Sequence, residues 1–182
     1  MPPHIPVMQN IDLQGLRTLI RLDLNVPIDD GVITSEARIQ AAIPTIKMAL
    51  EKGAKVALLS HLGRPDPAAL DGSYSLEPVA YRLQELIGRP VRFLTDWLDG
   101  IEHSDDEIIL CENTRYHIGE TTNDDALSQQ IASLCDVFVM DAFGASHRQH
   151  ASTYGAAQFA SQACIGPLMS QEIESLNQGL SD

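Results

Sequence analysis

Apolar residues along the chain follow two alternating patterns. Short runs of aliphatic and β-branched residues are separated by longer stretches in which apolar positions return every three or four residues. Residues 18–26 (TLIRLDLNV) predict a first strand. Residues 55–61 (KVALLSH) predict a second, apolar through its middle as a strand buried on both faces would be. Residues 90–94, 107–111 and 136–140 predict three more. Between them, residues 35–52 carry Ile39, Ile43, Ile46 and Leu50 on one helical face. Thr34, Ser35 and Glu36 mark the start of that helix and Gly53 its end, while Pro44 is expected to kink or divide it. Residues 75–87 predict a helix capped by Ser75, with Leu76, Val79, Leu83 and Leu86 inward and Gly88 after it. Residues 123–134 predict another, with Leu127, Ile131 and Leu134 in register. Residues 154–163 and 168–180 read as closing helices.

Strands alternating with helices predict an α/β fold: a single domain with a doubly wound, Rossmann-like parallel sheet in three α/β/α layers. A length of 182 residues, 44% of them apolar, suits one domain or one with a short extension. In such sheets ligands bind beyond the carboxyl ends of the strands. The predicted strand ends carry Asp23 and Asn25; Ser60, His61, Leu62, Gly63 and Arg64; Glu112, Asn113, Thr114 and Arg115; and Asp141 and Gly144, followed by His147, Arg148 and His150.

Charge sharpens this. The chain carries 12 Lys plus Arg against 25 Asp plus Glu, a net charge of -13. A surface of that sign repels nucleic-acid backbones and anionic membranes, and no run is apolar enough to span a bilayer. Yet Arg38, Arg64, Arg115 and Arg148 lie in or beside the strand-end loops, together with His61, His147 and His150. Arginine's planar fork suits phosphate and carboxylate, and neighbouring glycines admit backbone amides to a ligand. Taken singly, each has a plainer reading: Asp23 and Asn25 as turn caps, Arg38 as a surface ion pair, His61 as a structural histidine. His147 and His150 have no third ligand at metal-binding spacing, so no metal site is expected. Cys111, Cys135 and Cys164 form no C-x-x-C pair and read as buried thiols of a reducing cytosol. Residues 1–10 show no basic-then-apolar secretory pattern. G-x-x-x-x-G-K-[ST], G-x-G-x-x-G and G-x-S-x-G are all absent. The residues alone point to an α/β domain binding a small phosphorylated or carboxylated anion, and not to a reaction.

The segments RLDLNVPIDDGVITSEARIQAAIPTI, GAKVALLSHLGRP, SLEPVAYRLQELIGRPVRFL, LCENTRYHIGETTND and CDVFVMDAFGASHRQHAST resemble phosphoglycerate kinase of the bacterial type, in the family's order and spacing. They cover most of residues 21–153, and ACIGPLMSQEIESLNQGL is similar to the family's approach to its interdomain helix. ENTRY and SHRQH differ slightly from the usual family wording, at no charged contact. The resemblance implies reversible phosphoryl transfer between 1,3-bisphosphoglycerate and ADP, giving 3-phosphoglycerate and ATP. It implies two facing α/β domains, one for the glycerate and one for Mg-ATP or Mg-ADP. Residues 1–166 would be the glycerate domain and 167–182 the start of the interdomain helix region, with the nucleotide-binding domain absent from this chain. The family's substrate contacts fall on Asp23, Leu24, Asn25, Arg38, His61, Leu62, Gly63, Arg64, Arg115 and Arg148. Of these, Asp23 and Asn25 would position the glycerate's hydroxyl and carboxyl end; His61, Arg64, Arg115 and Arg148 would hold the 3-phosphate; Arg38 would be catalytic. A cytoplasmic monomer, inactive alone, is expected. Two other readings stay open. One is a free-standing phosphometabolite-binding domain without catalysis. The other is partner binding through the last helix, whose Leu168, Met169, Ile173, Leu176 and Leu180 form an apolar stripe.

Overall fold

The computed structural model describes residues 5–179. Strands β1 (Arg17–Arg21), β4 (Lys55–Leu59), β5 (Val91–Leu94), β6 (Ile108–Cys111), β7 (Val137–Met140) and β8 (Ala163–Ile165) form one parallel sheet in the order β5-β6-β4-β1-β7-β8. A small hairpin, β2 (Ile28–Asp29) with β3 (Val32–Ile33), stands apart from it. The helices are α1 (Ala37–Glu51), α2 (Glu77–Ile87), α3 (Asp125–Ser133), α4 (Phe143–Ser146), α5 (Ala156–Phe159) and α6 (Pro167–Gly179).

Side chains of a strand alternate between its faces, so each strand feeds two cores. Ile20, Val56, Leu58, Ile108, Leu110, Val137 and Val139 point to one face, beneath α1 and α2. Leu19, Ala57, Leu59, Ile109, Cys111, Phe138 and Met140 point to the other, beneath α3, α5 and the buried Trp97. This is the three-layer arrangement that near-continuous apolar strands require. All three cysteines are buried and unpaired.

Several elements depart from the sequence expectation. The first strand ends at Arg21, not at residue 26. After Leu22 donates to the Leu59 carbonyl, the Leu24 amide turns to Ser60 Oγ and the Val26 amide closes back on the Leu24 carbonyl. Pro44 neither divides α1 nor ends it. Pro44 and Gln40, whose carbonyl loses its helical donor there, both lie on the exposed face, so the carbonyl is not left unpaired in the core. The buried stripe Ile39, Ala42, Thr45, Ile46 and Ala49 carries the helix through. Residue 35 supplies no side-chain cap to α1.

The helix expected over 154–163 is instead a wide turn of π pitch (Ala151–Gly155), the single turn of α5, and strand β8. Pairing with β7, and a bridge from Ile165 to Val7, override the helical propensity of this alanine-rich segment. The hairpin was also missed, although its Asp30-Gly31 turn, with φ of 47° and 76°, is a strong two-residue hairpin signal. Two caps have partners distant in sequence or offset from expectation. Ser75 Oγ accepts from the Glu77 amide, as expected, but it is itself held by Glu112, which also takes the Leu76 amide. α3 starts at Asp125 rather than at residue 123, and Asp124 caps it through the Leu127 amide at 2.8 Å.

α6 has no buried residue, and Leu176 of its apolar stripe is 54% exposed. The stripe's last member, Leu180, lies outside the described residues. No described helix is long and apolar enough to cross a membrane.

The wide turn packs closely on α3: a Cβ on Gly155 would lie 2.0 Å from Ser128 Oγ and 2.6 Å from Ser128 Cβ. Ser128 is fully buried and cannot retreat. Gly155→Ala should therefore lower unfolding stability by about 1–3 kcal/mol, as overpacking does. An unchanged urea midpoint would mean that this contact yields freely.

Candidate functional site

The sheet's connections diverge at β1. From β1 the chain passes to β4 on one side, while β7 on the other side leads on to β8. Ligands settle at such a switch point, beyond the strand ends. Hydrogen bonds between loops build the floor there. Ser60 Oγ accepts the Leu24 amide at 2.9 Å and donates to the His61 carbonyl. Asn25 Oδ1 accepts the Gly63 amide at 2.9 Å. Asn113 clamps the next loop: its Oδ1 takes the Leu62 and Arg115 amides, and its Nδ2 donates to the carbonyls of Leu62 and Tyr74. Gly63 adopts φ of 58°, and a Cβ there would lie 2.2 Å from the Tyr74 ring, so glycine is required.

Above this floor lies a concavity of about 230 Å³. It brings together Asp23, Asn25, Arg38, His61, Gly63, Arg64, Arg115 and Arg148, and adds Gly144 and Ala145. Leu24 and Leu62 do not line it: their side chains are buried in the core beneath α1 and α2, and they space their neighbours through the backbone. A larger hollow of about 860 Å³ shares Arg64, Arg115 and Arg148 and opens over the loop that contains His117, Gly119 and Thr122.

The cations are unequally satisfied. Arg38 donates to Asp23 Oδ1 at 3.2 Å and to the Asn25 carbonyl at 2.7 Å. Arg115 donates to the Gly63 carbonyl at 2.6 Å, but its buried Nε has no partner. The guanidinium groups of Arg64 and Arg148 have no hydrogen-bonding partner among the described residues. Burial and then the charge of Arg148 lower the Arg115 pKa, with Arg64 adding to the repulsion. His61 is pushed down to about 2 by burial, with Arg21, Arg115, Arg148 and His150 all opposing its charge. His61 is therefore neutral. Such a site is short of negative charge, and a small dianion would supply it.

Some supporting residues were not anticipated. Arg21, wholly buried, donates to His61 Nδ1 and to Ser152 Oγ, and Ser152 in turn donates to the buried Glu120. One signal was available: Arg21 interrupts an otherwise apolar strand, and a charge there needs a partner. Glu120 and Ser152 had none, because only the fold brings them to Arg21. Burial pushes the thiols of Cys135 and Cys164 up to about 12, and that of Cys111 up as well, so none is a ready nucleophile. Among the described residues no cluster of three His, Cys, Asp or Glu could hold a metal ion.

Comparison with known proteins bears on the family and the fold. The sequence profile of the family described as phosphoglycerate kinase matches residues 8–182. Phosphoglycerate kinases of Legionella pneumophila are similar to the chain: the strain Corby protein is 57% identical over 173 residues, spanning 95% of this chain and 44% of its own length. The strain Paris protein is 56% identical over the same shares. The solved structure of phosphoglycerate kinase from Coxiella burnetii superposes with a TM-score of 0.93 at 44% identity, over 96% of this chain and 45% of that one. The structure from Pyrococcus horikoshii OT3 gives 0.83 at 30% identity, with the same coverage. The chain thus spans less than half the length of these relatives. Over the length it does span, it belongs to the phosphoglycerate kinase family.

Proposed function

We propose that this chain forms the glycerate-binding half of a phosphoglycerate kinase and contributes the 3-phosphoglycerate site. The observation that carries this reading is the convergence of Arg64, Arg115 and Arg148, short of partners, on one concavity with neutral His61. These groups hold the 3-phosphate. Asp23 and Asn25, which line the same concavity, position the glycerate's hydroxyl and carboxyl end. Arg38 is the catalytic residue and stabilises charge on the phosphoryl group in flight. The attacking atom is a carboxylate oxygen, ionised at neutral pH, so no general base is needed; what remains is positioning and charge stabilisation. That requirement matches a site of arginines without a nucleophile–base pair.

The nucleotide of the reaction is Mg-ATP or Mg-ADP. The nucleotide belongs to the remaining length seen in the relatives, and residues 167–182 begin the connection to it. The chain alone is a cytoplasmic monomer that binds the glycerate and transfers nothing.

Titration of the 182-residue chain with 3-phosphoglycerate, followed by amide NMR shifts, should perturb residues 23–25, 38, 61–64, 115 and 148 and weaken with salt. Arg64→Ala or Arg148→Ala should raise Kd roughly 10- to 100-fold, the cost of a lost charged hydrogen bond. In a form carrying the nucleotide half, Arg38→Ala should reduce turnover far more than glycerate affinity. Equal losses in both quantities for all three variants would sink this division of roles. A second assay supplies 1,3-bisphosphoglycerate and Mg-ADP to the purified chain; ATP formation would refute its inactivity.

A further inference from the structure

We infer that Arg21 is a positioning residue that locks His61 in the neutral tautomer protonated on Nε2, so that the ring offers the concavity an uncharged hydrogen-bond donor. The inference rests on the reading of the concavity as a phosphate site. An Arg21 terminal nitrogen lies 2.9 Å from His61 Nδ1. A guanidinium has five donors and no acceptor, so Nδ1 must present its lone pair and the single ring proton must sit on Nε2. Nε2 has no protein partner among the described residues, and the ring lines the concavity.

Arg21 is itself held in one orientation. Its Nε donates to Ser152 Oγ at 3.0 Å and its other terminal nitrogen to the Leu22 carbonyl at 2.5 Å. Ser152 Oγ donates to Glu120 Oε1, and the Ser152 amide donates to Glu120 Oε2 at 2.9 Å. Glu120 is 1% exposed and supplies the principal negative charge felt by Arg21. Every hydrogen bond from Glu120 through Ser152 and Arg21 to His61 therefore has a fixed direction, and reversing any one leaves a buried group unpaired. The charged and titratable groups around His61 come from separate elements: Arg21 on β1, Arg115 after β6, and Arg148 and His150 after β7. All oppose an imidazolium. In a concavity already crowded with arginine, a neutral donor grips an anion without adding to the mutual repulsion. The His61 ring itself then contributes no pH dependence to binding near 6.

Long-range ¹H–¹⁵N correlation of the histidine rings in the labelled chain tests this, with His61→Gln to assign the signal. The His61 ring should show the neutral Nε2–H pattern from pH 5 to 8 with no titration. A wild-type ring protonated on Nδ1, or carrying both protons at pH 6.5, would overturn the proposal. The double variant Arg21→Met/Glu120→Gln removes both buried charges together. In it the ring should populate both tautomers, and 3-phosphoglycerate affinity should fall about tenfold, while Arg21→Lys, which keeps a cationic donor, should largely retain the wild-type pattern. An unchanged, single Nε2–H tautomer in the double variant would show that Arg21 does not set it. If the double variant does not fold, the wild-type spectrum decides. If the wild-type chain shows the Nε2–H tautomer yet ignores 3-phosphoglycerate, the proposed function fails and the role of Arg21 stands.

Discussion

Arg21, Arg38, Arg64, Arg115 and Arg148 crowd the carboxyl ends of one sheet, in a chain whose net charge is strongly negative. Holding like charges this close, several of them without counter-ions, is the constraint around which the structure is arranged. Burial first, and their repulsion after it, holds the pKa values of Arg115 and His61 down. The folded state offsets it in two ways. Glu120 and Asp23 each compensate part of the charge. The sheet supplies the rest through apolar burial on both faces, which far exceeds what surface ion pairs contribute.

The hydrogen bonds that build the site link residues distant in sequence. Asn113 ties the loop after β6 to the loop after β4, and Asn25 ties the loop after β1 to the same place. Asn113 spends both its Oδ1 and its Nδ2 on these loops and acts as a spacer of fixed length, whereas the Asn25 side chain is bonded through Oδ1. Glu112 extends the same clamp to the first turn of α2. The backbone that carries Arg64 and Arg115 is thereby referred back to the strand ends.

Much of this was legible in the sequence, for identifiable reasons. Strands buried on both faces read as apolar runs, and their ends announced the charged loops where ligands gather. The readings that failed depended on distant partners. Residues 154–163 look helical until β7 provides a neighbour for Ala163–Ile165. Pro44 looks like a break until its exposed face is known. Leu24 and Leu62 sit within motifs that the sequence reads as ligand contacts, yet only the packing shows that their side chains serve the core. Glu120 and Ser152 carry no local signal, since their significance lies in Arg21, 131 positions from Ser152 along the chain.

The placement of β1 has a consequence for synthesis on the ribosome. β1 can pair with β4 once about the first sixty residues have emerged, but its other edge waits for β7, and Arg17 is bonded to an aspartate 119 positions later. Through that interval the nascent chain presents an apolar strand with one edge unpaired, the kind of surface on which chains aggregate. Pairings of such long sequence separation also slow folding, because loop closure must precede the contacts that reward it. The sheet order that gathers the arginines at one rim thus leaves the emerging chain reliant on rapid completion, or on holding by a chaperone, until residue 140 is free.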